Sequence, residues 1–92
     1  MRFPRRFLPP IHLLTALEAS ARCGSFTVAA SELDLTQSAV SRQIRLLEDQ
    51  IGFELFVRER QSVRLTEAGA KYACEVRLAL QHIAAATMGL RA

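Results

Sequence analysis

Lysine is nearly absent from this chain, cysteine is scarce, and no apolar run is long enough to cross a bilayer. Lys71 is the single lysine among twelve basic residues in a chain of 92. The two cysteines, Cys23 and Cys74, lie far apart. They make neither a C-x-x-C pair nor a zinc-ligand spacing. Both fall in stretches that read as helix, where they are expected to be small, buried or half-buried residues in a reduced cytoplasmic setting. His12 and His82 are isolated, and no nucleophile–base pair or metal spacing emerges around them or the scattered carboxylates. These absences speak against an enzyme, and no cofactor or metal is expected. The first ten residues, Met1 to Pro10, lack the apolar core of a signal peptide. No membrane span is expected either. At this length the chain forms one small domain at most, below the usual size of an enzyme and marginal in stability alone.

What the chain does have is arginine, eleven of the twelve basic residues, and a net charge of +3 with an isoelectric point near 9.5. Arginine's planar donor fork suits phosphates and guanine edges. GC-rich codon usage explains such a bias equally well, and a small positive charge does not by itself identify a DNA binder. Half of the residues are hydrophobic. That share, much of it alanine, suggests some apolar surface meant for a partner.

Residues 1–9 read as an extended basic arm. Pro4, Pro9 and Pro10 oppose helix before Ile11, and Pro10 suits a helix start. Arg2, Arg5 and Arg6 either touch phosphate or belong to a disordered tail. Residues 10–65 read as one domain. Ile11, Leu14, Leu17 and Ala21 give a first helix an apolar face, closed by Gly24 after Cys23. Ser25 caps a short second helix to about Leu33, with Phe26, Ala29, Ala30 and Leu33 inward. Its alanines permit a close helix crossing. Asp34 and Leu35 make the turn, with Leu35 expected to plug the core at the corner. Thr36 caps a third helix to about Ile51 whose inward stripe is Val40, Ile44, Leu47 and Ile51, and Gly52 ends it. Two helices joined by so short a turn, the second strongly amphipathic, describe a helix-turn-helix. Phe53 to Leu65 reads as a two-stranded hairpin with a charged tip, although its turn lacks glycine and proline.

Thr66 caps a last helix to about Leu90, within a segment 66–92. Ala73, Val76, Leu80, Ile83, Thr87 and Leu90 recur at intervals of three and four, a short heptad seam. The seam packs either on the domain itself or on a second copy. A helix of roughly 24 residues is about 36 Å long, more than so small a body can cover. Its distal half is therefore expected to dimerise.

The outward face of the third helix carries Gln37, Ser38, Ser41, Arg42 and Arg45, with no acid before Glu48 and Asp49. Hydrogen-bonding side chains at the N-terminal end of such a helix are what a major groove accepts. Gln37 suits adenine, and Arg42 suits either a guanine edge or a phosphate. Ser41 and Thr36 suit phosphate oxygens, helped by the helix dipole. The same features also describe a protein-interaction module that uses the helix-turn-helix as scaffold and the long helix as its working surface. Salt-sensitive binding to duplex DNA separates the two readings.

Three runs of residues narrow the choice: Gly24-Ser25-Phe26-Thr27-Val28-Ala29-Ala30 with Leu33; Thr36-Gln37-Ser38-Ala39-Val40-Ser41-Arg42-Gln43-Ile44 with Leu47-Glu48; and Gly52, Leu55-Phe56, Arg58, Arg64-Leu65-Thr66-Glu67-Ala68-Gly69. In order and spacing they resemble the N-terminal signature of LysR-type transcriptional regulators, from Leu8 onward. The resemblance implies a mainly α fold, a winged helix-turn-helix followed by a long dimerisation helix. It implies a bacterial transcription factor working in the cytoplasm on the nucleoid. Gln37, Ser38, Ser41 and Arg42 take the major-groove positions, and Ser25 and Thr27 the phosphate positions. The hairpin is the wing, bringing Arg58, Arg60 and Gln61 to the backbone or minor groove. At the wing tip this chain has Gln61 and Ser62 where many relatives place arginine, proline or glycine, which leaves Arg60 as the candidate minor-groove arginine. The last helix is the linker helix that pairs with a second subunit. The implied partners are a double-stranded inverted-repeat operator, with half-sites about one turn or roughly 34 Å apart, and a second copy of the chain. Higher oligomers belong to full-length relatives. A small-molecule effector would act only through a C-terminal domain beyond Ala92, so the sequence is expected to be a fragment.

Overall fold

The computed structural model describes residues 2–60 and 62–91. Its elements run α1 (Ile11–Cys23), α2 (Phe26–Leu33), α3 (Gln37–Ile51), β1 (Phe56–Arg58), β2 (Val63–Leu65) and α4 (Glu67–Arg91), preceded by a single 3-10 turn at Arg5–Phe7. That turn stands where an extended arm was expected. Pro4 fixes its start, and the Phe7 and Leu8 amides donate back to the carbonyls of Pro4 and Arg5.

Each helix stops where local chemistry makes it stop. Gly24 and Gly52 end α1 and α3 at φ 66° and 81°, a left-handed conformation that only glycine reaches without strain. Asp34 does the same for α2 at φ 57°, a region that Asp tolerates better than most residues. Its consequence reaches Leu35, whose amide donates to the Ala30 carbonyl at 2.9 Å. This wrap points the Leu35 side chain outward, 39% exposed, so it does not plug the corner. Ser25 and Thr36 cap α2 and α3 as expected, accepting from the amides of Val28 and Ala39.

The core is the triangle of α1, α2 and α3, closed by β1 and the first turns of α4. Leu17, Val40, Ile44, Leu47 and Leu55 are fully enclosed, with Leu13, Phe26, Phe56 and Val76 nearly so. Phe26 meets Phe56 edge to face, ring centroids 5.3 Å apart, a favoured aromatic geometry. Ala16, Ala29 and Ala30 are also buried, the small contacts that let α1 and α2 approach closely. Ile11 is exposed rather than inward; Leu13 and Ala16 supply that face instead. As the first residue after Pro10, Ile11 lies beyond the reach of the neighbouring helices. At the surface, Arg22 bridges α1 to α2 through Glu18 and Glu32, and its guanidinium holds the Glu32 carboxyl below the usual carboxylate range.

The hairpin β1–β2 is antiparallel, with Phe56 opposite Leu65 and Arg58 opposite Val63. Thr66 then fastens it to α4. Its hydroxyl donates to the Glu54 carbonyl at 2.7 Å and accepts from the Gly69 amide at 3.0 Å, while its amide donates to the Leu55 carbonyl. Ala73 and Val76 are buried in the domain's own core. Those two members of the expected dimer seam are therefore already covered, because the first turns of α4 lie across α1. Leu80 is half-buried, and every residue from Gln81 to Arg91 is exposed. Cys23 is half-buried, but Cys74 is exposed rather than buried.

Gly69 sits where α4 presses on the hairpin. A Cβ at this position would land on the backbone carbonyl of Leu55, within 2.8 Å of its carbon. Gly69→Ala is therefore expected to destabilise the domain by about 1–3 kcal/mol, the usual cost of forced overpacking. Urea unfolding measures it. An unchanged midpoint would mean that α4 is not held this tightly.

Candidate nucleic-acid interface

The polar face of α3 is exposed by the placement of its apolar one. Val40, Ile44 and Leu47 are turned wholly into the core, which directs Ser38, Arg42 and Arg45 into solvent. Gln37 and Thr36 lie exposed at the helix start. The Thr36 hydroxyl accepts from the Ala39 amide at 3.1 Å and stands 3.4 Å from the Ser38 hydroxyl. A capping hydroxyl keeps its own proton to donate, so capping and phosphate binding are compatible. The same holds for Ser25, half-buried and accepting from Val28.

A hollow of about 240 Å³ lies between the start of α2, α3 and the wing. It brings together Ser25, Thr27, Gln37, Ser41, Arg45, Arg58 and Arg60. Residues expected at the site from three separate stretches of sequence thus share one concavity. Thr36, Ser38 and Arg42 lie outside it, on the exposed flank of α3. Gln61 falls outside the described residues. A larger hollow is lined by Glu48, Asp49 and Glu54 together with Arg45 and Arg58. Three carboxylates against two guanidiniums make it less suited to phosphate.

The arginines divide into two groups. Arg58 is committed within the protein. Its Nη1 donates to Ser41 Oγ at 2.7 Å and its Nη2 lies 3.5 Å from Glu48 Oε1. Its guanidinium also sits over the Phe26 ring, 4.9 Å from the centroid. Glu48 in turn accepts from the amides of Leu55 and Phe56 at 2.8 and 3.2 Å. The expectation that Arg58 and Ser41 are both outward groups is thus corrected. They bond to each other across the seam between α3 and β1, because a half-buried guanidinium needs acceptors and a carboxylate nearby. Ser41 keeps only its hydroxyl proton for an outside acceptor. Arg42, Arg45 and Arg60 are the opposite case. They are exposed, and among the described residues no carboxylate lies within 4.0 Å of them.

Sequence reasoning gave Glu48 and Phe26 no part in holding Arg58, which is what the structure shows them to do. In the sequence Glu48 reads only as an acid that ends the polar face. Its position two turns beyond Ser41, on the same helix edge, is the signal that both face one partner element. Among the described residues no cluster of His, Cys, Asp or Glu could hold a metal, and no helix is long and apolar enough to cross a membrane.

The sequence that builds this geometry, a capped amphipathic helix with an open arginine edge and a wing clamped beside it, matches a family model. The model, described as a bacterial regulatory helix-turn-helix protein of the lysR family, covers residues 11–70. The chain belongs to the LysR family. It carries a LysR-type helix-turn-helix DNA-binding domain, and the relatives are transcriptional regulators, not enzymes. It is 46% identical over 80 residues to a glycine cleavage system transcriptional activator homolog of Haemophilus influenzae, matching 87% of this chain and 27% of that protein. It is 55% identical over 60 residues to the transcriptional activator AmpR of Providencia stuartii, matching 65% of this chain and 20% of that one. The chain thus spans about a quarter of the length of the first of these relatives. Among solved structures, a CbnR DBD–DNA complex superposes with a TM-score of 0.83 at 26% identity, covering 90% of this chain and 95% of that one. Vibrio fischeri DarR in complex with DNA superposes at 0.77 and 30% identity, over 99% of this chain and 29% of that one.

Removing the Glu48 carboxylate leaves two backbone amides at Leu55 and Phe56 without their acceptor. Glu48→Ala is expected to lower stability by about 1.5–3 kcal/mol, the range for hydrogen bonds to a charged group. Glu48→Gln, which keeps an acceptor oxygen, should lose less. Equal losses in denaturant titrations would place the effect in packing instead.

Proposed function

We propose that this chain reads an inverted-repeat operator as a homodimer, α3 of each copy entering the major groove. Gln37, Ser38 and Arg42 are the base-reading candidates. Ser25, Thr27, Thr36 and the free proton of Ser41 serve the phosphates, and Arg45 and Arg60 the groove walls and wing side. Arg58 acts indirectly, by setting the wing against α3. One observation carries the reading: an exposed donor edge on α3 whose arginines have no internal carboxylate, held by a helix whose opposite face is fully buried. Solvent-facing arginines without an internal partner keep their donors for an incoming ligand, and polar tips at the start of a recognition helix suit base edges. The DNA-bound LysR neighbours support the same orientation by analogy.

Dimerisation rests on Leu80, Ile83, Thr87 and Leu90. Ile83 is 51% and Leu90 90% exposed, apolar area on a stripe that the single chain leaves uncovered. The whole protein is proposed to regulate transcription in the bacterial cytoplasm, on the nucleoid, with any effector bound by a domain C-terminal to this region.

Arg42→Ala is expected to weaken binding by about 1–3 kcal/mol if Arg42 reads a base, and to relax discrimination at that position. The test is a titration at fixed salt against duplexes selected from a random pool by the parent chain. Unaltered affinity and preference would remove Arg42 from the reading set. Ile83→Glu is expected to shift sedimentation from the paired to the single-chain mass, because one buried charge per copy disfavours the seam. A variant that still sediments as a pair would move the interface elsewhere.

A further inference from the structure

The charge of this molecule is distributed unevenly. No acidic residue occurs before Glu18, and Arg2, Arg5 and Arg6 precede it. The other nine of the twelve basic residues are equalled in number by the nine carboxylates. The body from Glu18 onward is therefore neutral, and the entire net charge of +3 resides in the first six residues.

Two of these three charges, Arg5 and Arg6, lie in an ordered turn. The turn at Arg5–Phe7 is started by Pro4 and followed by Pro9, which is buried, and Pro10, which directly precedes α1. Prolines restrict the unfolded alternatives of such a segment. The turn comes within 8 Å of α3, Cα to Cα. Arg2, Arg5 and Arg6 are exposed, and among the described residues no carboxylate lies within 4.0 Å of them. Arg6 stacks over the Phe7 ring at 5.1 Å, an arrangement that uses the guanidinium face and leaves its in-plane donors open.

We propose that Arg2, Arg5 and Arg6 form a phosphate-binding arm beside α3, adding electrostatic attraction to duplex DNA without reading sequence. This rests on the DNA-binding reading of α3. The major groove is about 12 Å wide and an α-helix nearly fills it. A cationic segment lying against the recognition helix is therefore brought to the groove wall, where the phosphates stand. The body is neutral only in sum, since Arg42, Arg45 and Arg60 already face outward; Arg2, Arg5 and Arg6 add three further cations that no carboxylate among the described residues offsets.

The test is salt dependence on a long duplex of mixed sequence, comparing the parent chain with the triple variant R2A/R5A/R6A. Each phosphate that the variant no longer neutralises should reduce the slope of log affinity against log salt by about 0.9. With one phosphate neutralised by each arginine, the parent's affinity should fall up to about fortyfold more steeply than the variant's between roughly 50 and 200 mM salt. The preference for a selected site over mixed sequence should stay the same. The variant R2K/R5K/R6K should keep most of the parent slope, since lysine retains the charge. A triple alanine variant with the parent slope, or a lysine variant that behaves like the alanine one, would overturn the proposal while leaving the α3 reading intact. A parent chain with no salt-sensitive affinity for any duplex would instead overturn the DNA-binding reading itself. Matching thermal unfolding curves for all three chains would confirm that the comparison concerns binding.

Discussion

Leu55 is the point at which this small domain is tied together. Its amide donates to Glu48 on α3, its carbonyl accepts from Thr66 at the start of α4, and its side chain is 1% exposed within the core. Gly69 has no side chain, and α4 can therefore press against the same carbonyl. One residue thus fixes the recognition helix, the wing and the long helix relative to one another. A chain of this size has little buried area to spare. Concentrating these inter-element bonds on one enclosed residue gives the wing a defined position that a two-stranded hairpin would not hold alone.

The Arg58 clamp extends the same knot to the face proposed to meet DNA. Arg58 joins Ser41, Glu48 and Phe26, so α2, α3 and β1 converge on one guanidinium. Its charge is offset by Glu48 and satisfied inside. Among the described residues the exposed guanidiniums with no carboxylate within 4.0 Å are those of Arg42, Arg45 and Arg60 on α3 and the wing, of Arg77 and Arg91 on α4, and of Arg2, Arg5 and Arg6 before α1. A recognition surface needs donors that are free yet positioned. Here the freedom comes from the absence, among the described residues, of a carboxylate within 4.0 Å, and the positioning from a fully buried opposite face.

Most of this was legible in the residues. Helix ends followed from Gly24, Gly52, Ser25, Thr36 and Thr66, whose chemistry acts locally and needs no knowledge of the fold. The inward stripe of α3 followed from periodicity. The misreadings share one cause, which is that tertiary placement decides them. Ile11 fits the helical spacing but lies beyond the neighbouring helices. Leu35 follows a left-handed Asp34, whose effect on the next side chain depends on a bond back to Ala30. Ser41 reads as outward until Arg58 arrives from another element, 17 residues later in the chain. Nothing in local spacing distinguishes a serine that faces DNA from one that accepts a buried guanidinium.

The long helix shows how one stripe can serve two ends. At 25 residues it is about 37 Å long, while the molecule measures 43 Å along its longest axis. Ala73 and Val76 close the domain's own core, Leu80 sits at its margin, and Ile83 and Leu90 continue the seam into solvent. The helix does not change face along its length; the body beneath it simply runs out. Whatever covers the distal half must therefore abut the domain's own core and approach along the same side of α4. A second copy related by a two-fold axis satisfies this with one surface on each chain. It would also fix the distance between two recognition helices through a single rigid element, anchored at Thr66 and Gly69 to the same Leu55 that orients α3. The spacing of the two reading heads and the angle of each would then be set by one knot of backbone bonds.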